Sequence, residues 1–513
     1  MRTLHDLLEQ VDAIHSDRVA VSTHGTHLSY ATLLSRSRRL ASVLAATGLM
    51  TGDRVAIFAP NGFRYLEVNF ACTMLGVVLV PLNTRLAAGE IEDILQRVGC
   101  KLLVGQALPE HHGIDSLSWN DADGPGGRNP YEDAIAHALP HAAPPERCDA
   151  DTIAQIFFTS GTTGLPKGVC LTHGNLLASA VDAMERLEFR RDDVWLHSAP
   201  MFHLVDAFAI WGMSLAGGAH VAVQFDPVTF GELVERERIS KTSLPPTLLD
   251  WISRQRPDLH HDLGSLRLIS YGGSPMQDAV YRRCRSVLKC DLRQAYGLTE
   301  GSGFVCHEQA GDNPDPETAF NIVGTPTRHV DIALVDDQGR TVGPDEVGEI
   351  VLKGARLFRE YWGDPLATAR AFVDGWYHSG DLGIRTNNGL YRVVGRKKEM
   401  IISGGENIYP AEVVNALLSH PAVEEAAVFG IPSERWGEEV RAVIYTTPGP
   451  GAPTGEEIDR HCRSLIAGYK APKRIDFSDA PLPKTGAGKI ATAAIRERFL
   501  AAALPHGETE CAK

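Results

Sequence analysis

Apolar and polar positions alternate along the first hundred residues at two periods. An amphipathic helical stretch covers Tyr30 to Thr47, and Arg54-Val-Ala-Ile-Phe-Ala59 reads as a strand. A second helix starts at Phe63, and Val77-Val-Leu-Val-Pro81 reads as another strand. Such alternation predicts an α/β fold with largely parallel strands. The longest apolar run, Val68 to Leu82, contains Asn69 and Pro81 and is too short to span a bilayer, so it reads as a buried helix running into a strand. From Pro109 to Asp151 the pattern collapses into Gly, Pro, His and Asp, which predicts a long surface excursion with a short helix over Tyr131 to Ala138. His111, His112, His137 and His141 are read there as solvated loop residues rather than metal ligands.

Regular alternation resumes at Ile153 and runs to about Val394, where the polar knot Gly395-Arg-Lys-Lys-Glu399 interrupts it. A compact α+β pattern follows. It has a helix over Ala411 to Ser419 with Pro410 at its first turn, strands at Ala427-Val-Phe-Gly430 and Arg441-Ala-Val-Ile-Tyr445, and capping-box spacing at Thr454-Gly-Glu-Glu457. This tail is large enough to form a domain of its own.

The formal charge of −14 argues against a protein that coats nucleic acid or an anionic membrane. Nine cysteines, odd in number and without a C-x-x-C pair, suggest reduced thiols in a cytoplasm. The N-terminus lacks the apolar core of a signal peptide, and Cys511 stands third from the end, where it cannot be prenylated.

The segment richest in chemistry is Phe157-Phe-Thr-Ser-Gly-Thr-Thr-Gly-Leu-Pro-Lys-Gly-Val169, a strand that breaks into hydroxyls and glycines and ends on a lysine. Glycines let successive N–H groups converge on one anion, hydroxyls add donors, and Lys167 adds charge. The pattern describes a polyphosphate cradle. It matches neither the Walker A spacing nor the dinucleotide fingerprint.

With this loop in place the chain resembles the adenylate-forming superfamily: acyl- and aryl-CoA synthetases, luciferases and peptide-synthetase adenylation domains. The likeness runs from Leu28-Ser-Tyr-Ala31 to Lys489. It includes Pro200-Met-Phe-His203, Tyr271-Gly-Gly-Ser-Pro275, Gln294-Ala-Tyr-Gly-Leu-Thr-Glu300, Gly348-Glu-Ile350, Gly375-Trp-Tyr-His-Ser-Gly-Asp381, Gly395-Arg-Lys-Lys398, Ser403-Gly-Gly-Glu-Asn-Ile-Tyr-Pro410 and Pro483-Lys-Thr-Gly-Ala-Gly-Lys489. The resemblance implies a large multi-layer α/β body over 1–395, a hinge at 396–398 and a small mobile α+β lid over 399–513. It also implies a reaction in which ATP and Mg²⁺ convert a carboxylate into an acyl-adenylate, from which CoA takes the acyl group.

Residue by residue, the resemblance assigns Thr159, Ser160, Gly161, Thr162, Thr163, Gly164 and Lys167 to the β,γ-phosphates, Thr299 to the α-phosphate and Glu300 to Mg²⁺. Gly272, Gly273 and Ser274 resemble the strand edge beside adenine, with Tyr296 stacked on it and Gly297 next in line. Asp381 resembles the ribose acid, with Ser379 where relatives carry Thr, and Arg396 a ribose and phosphate contact. Lys489 resembles the catalytic lysine between carboxylate and α-phosphate, and Lys398 the hinge.

For the acceptor, Trp436-Gly-Glu-Glu-Val440, Gly468-Tyr-Lys-Ala-Pro-Lys473 and Pro81-Leu-Asn-Thr-Arg85 resemble free-standing CoA ligases, with Arg85, Lys470 and Lys473 as candidates for CoA phosphates. Gly404, Gly405 and Trp436 are expected along the pantetheine path, and His203 as the gate between that path and the acid pocket. The pocket itself is expected from His203, Ala207, Trp211, Gly212, Gly301 and Ser302, an apolar slot for a medium- to long-chain fatty acid or a bulky aromatic or alicyclic acid. His203 stands where amino-acid-activating relatives carry Asp, which disfavours a free amino acid, although Asp206 lies near. A carrier-protein ligase and a luciferase-like oxidase stay open as alternatives, and a cytoplasmic homodimer is expected. A non-enzymatic nucleotide binder would be expected to lack Lys489, Glu300 or Asp381, and no G-x-S-x-G elbow supports a hydrolase.

Overall fold

The computed structural model describes residues 1–503 apart from 24, 107, 109–112, 120–128, 142–147, 160–165, 274, 275, 277, 313–321, 434, 447–452 and 485–489. Three sheets organise the described chain, of fourteen, seven and five strands.

The largest sheet contains the parallel run Val194–Leu196, Lys241–Leu244, Leu268–Gly272 and Asp291–Leu298. Its continuation from Gly303–His307 through Tyr391–Arg396 to Asp331–Val335 is antiparallel. Alternation therefore stops near residue 303 rather than near Val394. Between there and the polar knot the described helices are the short Pro365–Ala371 and no more than isolated turns. Chain connections explain the change: hairpins can link neighbouring antiparallel strands, whereas parallel neighbours require helical crossovers.

The second sheet builds on the parallel strands Arg54–Phe58, Val78–Pro81 and Leu102–Gln106. It gains an edge strand, Asp115–Trp119, inside the stretch read from sequence as a long surface excursion with only a short helix. Helix Phe63–Leu75 is buried all round, as its unbroken apolar run requires. Its polar members are satisfied in place: Arg36 and Arg64 meet Glu132, Arg36 also meets Glu67, and the Tyr131 hydroxyl donates to Glu67 at 2.9 Å. That cluster pins helix Pro130–His137, which the periodicity had foreseen.

The third sheet lies wholly within residues 401–478 and encloses its own core, including Ile401, Val413, Val428, Ile444 and Ile458. Helices Pro410–Leu418 and Gly455–Leu465 fall where the sequence placed them, the latter behind a complete Thr454 and Glu457 capping box. Eight cysteines are described, each a free thiol, and seven are buried. Burial pushes Cys100, Cys284 and Cys462 up to about 11 and Cys170 and Cys290 up to about 12.

Candidate nucleotide and acyl site

Strand pairing sets the frame of the site. Thr159 closes the strand Ile153–Thr159 directly opposite Lys167, which opens the next, so the two ends of the glycine-hydroxyl loop are held side by side. Ser160, Gly161, Thr162, Thr163 and Gly164, together with Ser274 and Lys489, lie outside the described residues. Gly272 ends its strand against Ala295, where an added Cβ would come within 2.5 Å of the Ala295 carbonyl oxygen. Gly273 follows it at the surface, and Gly297 sits at the bulge just beyond Tyr296.

Asp381 is the most heavily braced acid of the site. It lies opposite Arg396 on neighbouring strands, and Arg396 Nε donates to its Oδ1 at 2.9 Å. Its Oδ2 accepts from the Tyr296 hydroxyl at 2.7 Å. Burial, reinforced by the Asp381 charge, pushes the Tyr296 phenol well above its ordinary range, so the phenol remains a donor. The Ser379 hydroxyl accepts from the Asp381 amide at 3.0 Å and donates to the Ile350 carbonyl at 2.6 Å, locking the turn that aims the carboxylate. Glu349, quoted within a sequence block but without a role, accepts from the Gly380 amide and from Lys397. Lys397 also pairs with Asp337, which leaves the exposed Lys398 as the next residue of the knot.

Glu300 sits in the short turn Thr299–Gly301, after which Ser302 takes a left-handed backbone with φ of 57°. Two features sequence reasoning missed hold this turn. Arg356, fully buried, donates to the Ser302 carbonyl at 3.1 Å, to Ser179 and to Asp182, and its own carbonyl accepts from the Ser302 hydroxyl. Burial pulls its guanidinium down to about 10 against the opposing pull of Asp182. Tyr361, from the edge strand Glu360–Tyr361, donates to Glu300 Oε1 at 2.9 Å, and Lys167 Nζ lies 4.6 Å from the centroid of its ring. No sequence signal marked Arg356. The Tyr361-Trp362 pair gave only a β-strand composition. A carboxylate held at one oxygen, as Glu300 is by Tyr361, suits Mg²⁺, which takes few protein ligands and completes its shell with phosphate and water oxygens.

The acyl-pocket expectations divide. His203 caps helix Leu204–Ala216 with its ring edge-on to Phe202, and Ala207 lies one turn further. Trp211 instead packs on Phe70 in the core. Gly212 is where this helix presses on its neighbour His173–Arg186, because a Cβ there would meet Ala183, the Ala180 carbonyl and Phe189 within 3.3 Å. Ser302 spends its hydroxyl on Arg356, and Val305 fills the space beside Gly301. These four serve packing and turn geometry. Asp206 also turns inward, accepting from Trp195 Nε1 and His197 Nδ1. Beyond it His197, His220 and Ser214 continue a buried chain of hydrogen bonds.

Among the acceptor candidates, Gly404, Trp436 and Lys473 come together. The Gly404 amide donates to the Trp436 carbonyl at 2.8 Å, and Lys473 and Arg435 both face the indole. Gly404 needs its glycine, having φ of 62° and Trp436 where a Cβ would point. Gly405 has open space beside it. Lys470 pairs with Glu412 at 2.7 Å, apart from the contacts that Lys473 makes with Trp436. Arg85 lies in the turn that follows the strand Val78–Pro81, its amide donating to Asn83.

Two braced acids, Asp381 within the strand Trp376–Arg385 and Glu300 in the turn that follows Asp291–Leu298, fit the adenylate-forming class of enzyme. The AMP-binding enzyme family matches residues 8–362 and its C-terminal domain matches residues 412–489. The chain belongs to this AMP-binding enzyme family. A feruloyl-CoA synthase of Amycolatopsis sp is 38% identical over 487 residues, covering 94% of this chain and 96% of that protein. The fatty acid–[acyl-carrier-protein] ligase ScoC of Streptomyces coeruleorubidus is 35% identical over 496 residues, covering 94% and 93%. The structure of o-succinylbenzoate CoA synthetase from Bacillus subtilis, in complex with its acyl-adenylate intermediate, superposes with a TM-score of 0.85 at 29% identity, covering 96% of this chain and 97% of that one.

Proposed function

We propose that this site activates an apolar carboxylic acid, aromatic or fatty, and that Asp381, Glu300 and Lys489 carry the chemistry. The chain is an AMP-forming carboxylate–CoA ligase. The acid attacks the α-phosphorus of ATP, pyrophosphate leaves, and the CoA thiol then displaces AMP from the acyl-adenylate. The observation that carries the reading is the bracing of Asp381 by Tyr296 and Arg396, which presents a fixed carboxylate to a pair of ribose hydroxyls.

In this reading Lys167 and the loop from Thr159 to Gly164 hold the β,γ-phosphates, and Thr299 meets the α-phosphate. Mg²⁺ held by Glu300 offsets the charge that gathers on the phosphates as pyrophosphate departs. Lys489 brings the substrate carboxylate to the α-phosphate. Adenine lies along Gly272 and Gly273 beside Tyr296. The body ends at residue 395, residues 396–398 form the hinge, and the lid begins at 399. Gly404, Gly405, Trp436 and Lys473 line the CoA path, with His203 as the gate and Ala207 in the acid pocket.

Substrate class is argued from two sides. Asp206, a carboxylate three residues beyond His203, is fully buried and accepts from His197 and Trp195, which argues against a free amino acid. The two curated relatives named above are a feruloyl-CoA synthase and a fatty acid ligase, which favours an apolar tail. A cytoplasmic location fits a described chain without a helix long and apolar enough to cross a membrane. A homodimer completes the reading, to be checked by light scattering. The deciding experiment is a panel of cinnamic, benzoic and fatty acids with ATP and Mg²⁺, offered CoA or an acyl-carrier protein, with AMP and pyrophosphate measured. CoA-dependent AMP from one acid class is the expected result. AMP with a carrier protein alone would reassign the acceptor, and AMP from no acid would sink the reading.

A further inference from the structure

Tyr361 touches both halves of the phosphate site through different atoms. Its hydroxyl donates to Glu300 Oε1 at 2.9 Å, and its ring carries the Lys167 ammonium 4.6 Å from the centroid. Its own placement is fixed from three directions. Its strand pairs with Lys167–Thr172 in the register Tyr361 to Val169, its amide donates to Thr368 Oγ1 at 2.9 Å, and three residues upstream the Phe358 amide donates to the Glu300 carbonyl at 2.8 Å. The ring is buried against Phe358 at 4.7 Å between centroids. One rigid strap thus holds the backbone and one carboxylate oxygen of Glu300.

We infer that Tyr361 is a positioning residue that presets Glu300 for a single-oxygen contact with a divalent cation, and does so separately from its hold on Lys167. The inference rests on the reading that Glu300 takes Mg²⁺. A carboxylate free to rotate offers either oxygen or both. With Oε1 taken by a phenol, Oε2 is left for the cation, which suits the strict octahedral demand of Mg²⁺. Outer hydrogen bonds of this kind typically alter metal affinity by about 10- to 100-fold. Lys167 resting on the ring face keeps its charge near the phosphate loop without forming an ion pair with Glu300 that ATP would have to break.

Hydroxyl and ring can be separated experimentally. Calorimetric titration of ATP into the intact protein, with Mg²⁺ or with EDTA, reads binding without turnover. Tyr361→Phe keeps the ring and should weaken binding in Mg²⁺ by roughly tenfold, while affinity in EDTA stays unchanged. Tyr361→Leu removes the ring as well and should weaken both. Glu300→Gln serves as the control, and thermal unfolding confirms that each variant folds. If Glu300→Gln abolishes the Mg²⁺ advantage while Tyr361→Phe leaves it intact, the inference about Tyr361 is overturned and the reading of Glu300 stands. If Glu300→Gln leaves the Mg²⁺ advantage intact, the metal reading falls and the inference with it.

Discussion

The Tyr296 hydroxyl donates to Asp381 across 2.7 Å between two buried side chains, tying the last strand of the parallel run to the antiparallel strand Trp376–Arg385. On the proposed reading, a carboxylate so placed discriminates nucleotides by their ribose hydroxyls. Hydrogen bonds to a charged group contribute about 1.5–3 kcal/mol each. The protein should therefore favour ATP over 2′,3′-dideoxy-ATP by roughly 100-fold or more in kcat/KM. Asp381→Asn should lose most of that preference, and Tyr296→Phe should raise the KM for ATP several-fold while keeping the preference. An Asp381→Asn enzyme that still rejected the dideoxy nucleotide would remove Asp381 from the ribose.

Lys397 pairs with Asp337 and Glu349, which supports placing the proposed hinge motion at the next residue, Lys398. Lys398→Pro, which restricts the backbone there, should leave adenylate formation near its normal rate and abolish thioester formation. Lys489→Ala should show the opposite pattern, with adenylation falling by about 100-fold or more and thiolysis of a supplied acyl-adenylate preserved. Pyrophosphate exchange and thioester release, measured separately, test both. Equal loss of the two half-reactions in Lys398→Pro would dismiss the hinge.

The buried chain from Ser214 through His220 and His197 ends at Asp206, and the donor at each histidine link is set by the ring tautomers. Asp206→Asn can reverse the whole chain, donating where Asp accepted, and should cost little. Asp206→Ala leaves His197 without its acceptor and should destabilise the protein by about 3 kcal/mol. Urea unfolding of the two variants checks the asymmetry, and equal losses would refute it.

Buried histidines make the fold acid-sensitive. Burial pulls His173 down to about 4 and His307 to about 3, and His220 well below its ordinary value. Unfolded histidines titrate near 6.5, so below that pH the unfolded chain binds protons that the folded chain refuses. Stability should be at its plateau above about pH 6.5 and fall steadily toward about pH 4. Denaturation midpoints measured across that window test this. His173→Gln should flatten the slope, and an unchanged slope would exclude His173 as a contributor.

What could be read from the sequence followed the range of the interaction. Local rules placed helix Pro130–His137 and the capping box at Thr454, because caps and periodicity lie within a few residues. Motif resemblance singled out Asp381 and Arg396, but only the strand register shows that they face each other. Arg356 and Tyr361 were invisible because they act on Glu300 and its turn across more than fifty residues of chain. Apolar residues at 211 and 212 were misread for a related reason: composition distinguishes a pocket wall from a helix-packing face only when the partner helix is known, and for Gly212 that partner supplies Ala180 and Ala183.

The burial of the described cysteines has a chemical consequence. An acyl-adenylate is a mixed anhydride, and thiolate rather than thiol is the species that attacks it. With Cys100, Cys170, Cys284, Cys290 and Cys462 held at about 11 or 12, these residues stay protonated at neutral pH, and their burial keeps them away from a soluble electrophile. An enzyme that generates an acylating agent in its own interior is thereby shielded from labelling itself at these positions, and the activated acid is left to the sulfur of an incoming cosubstrate.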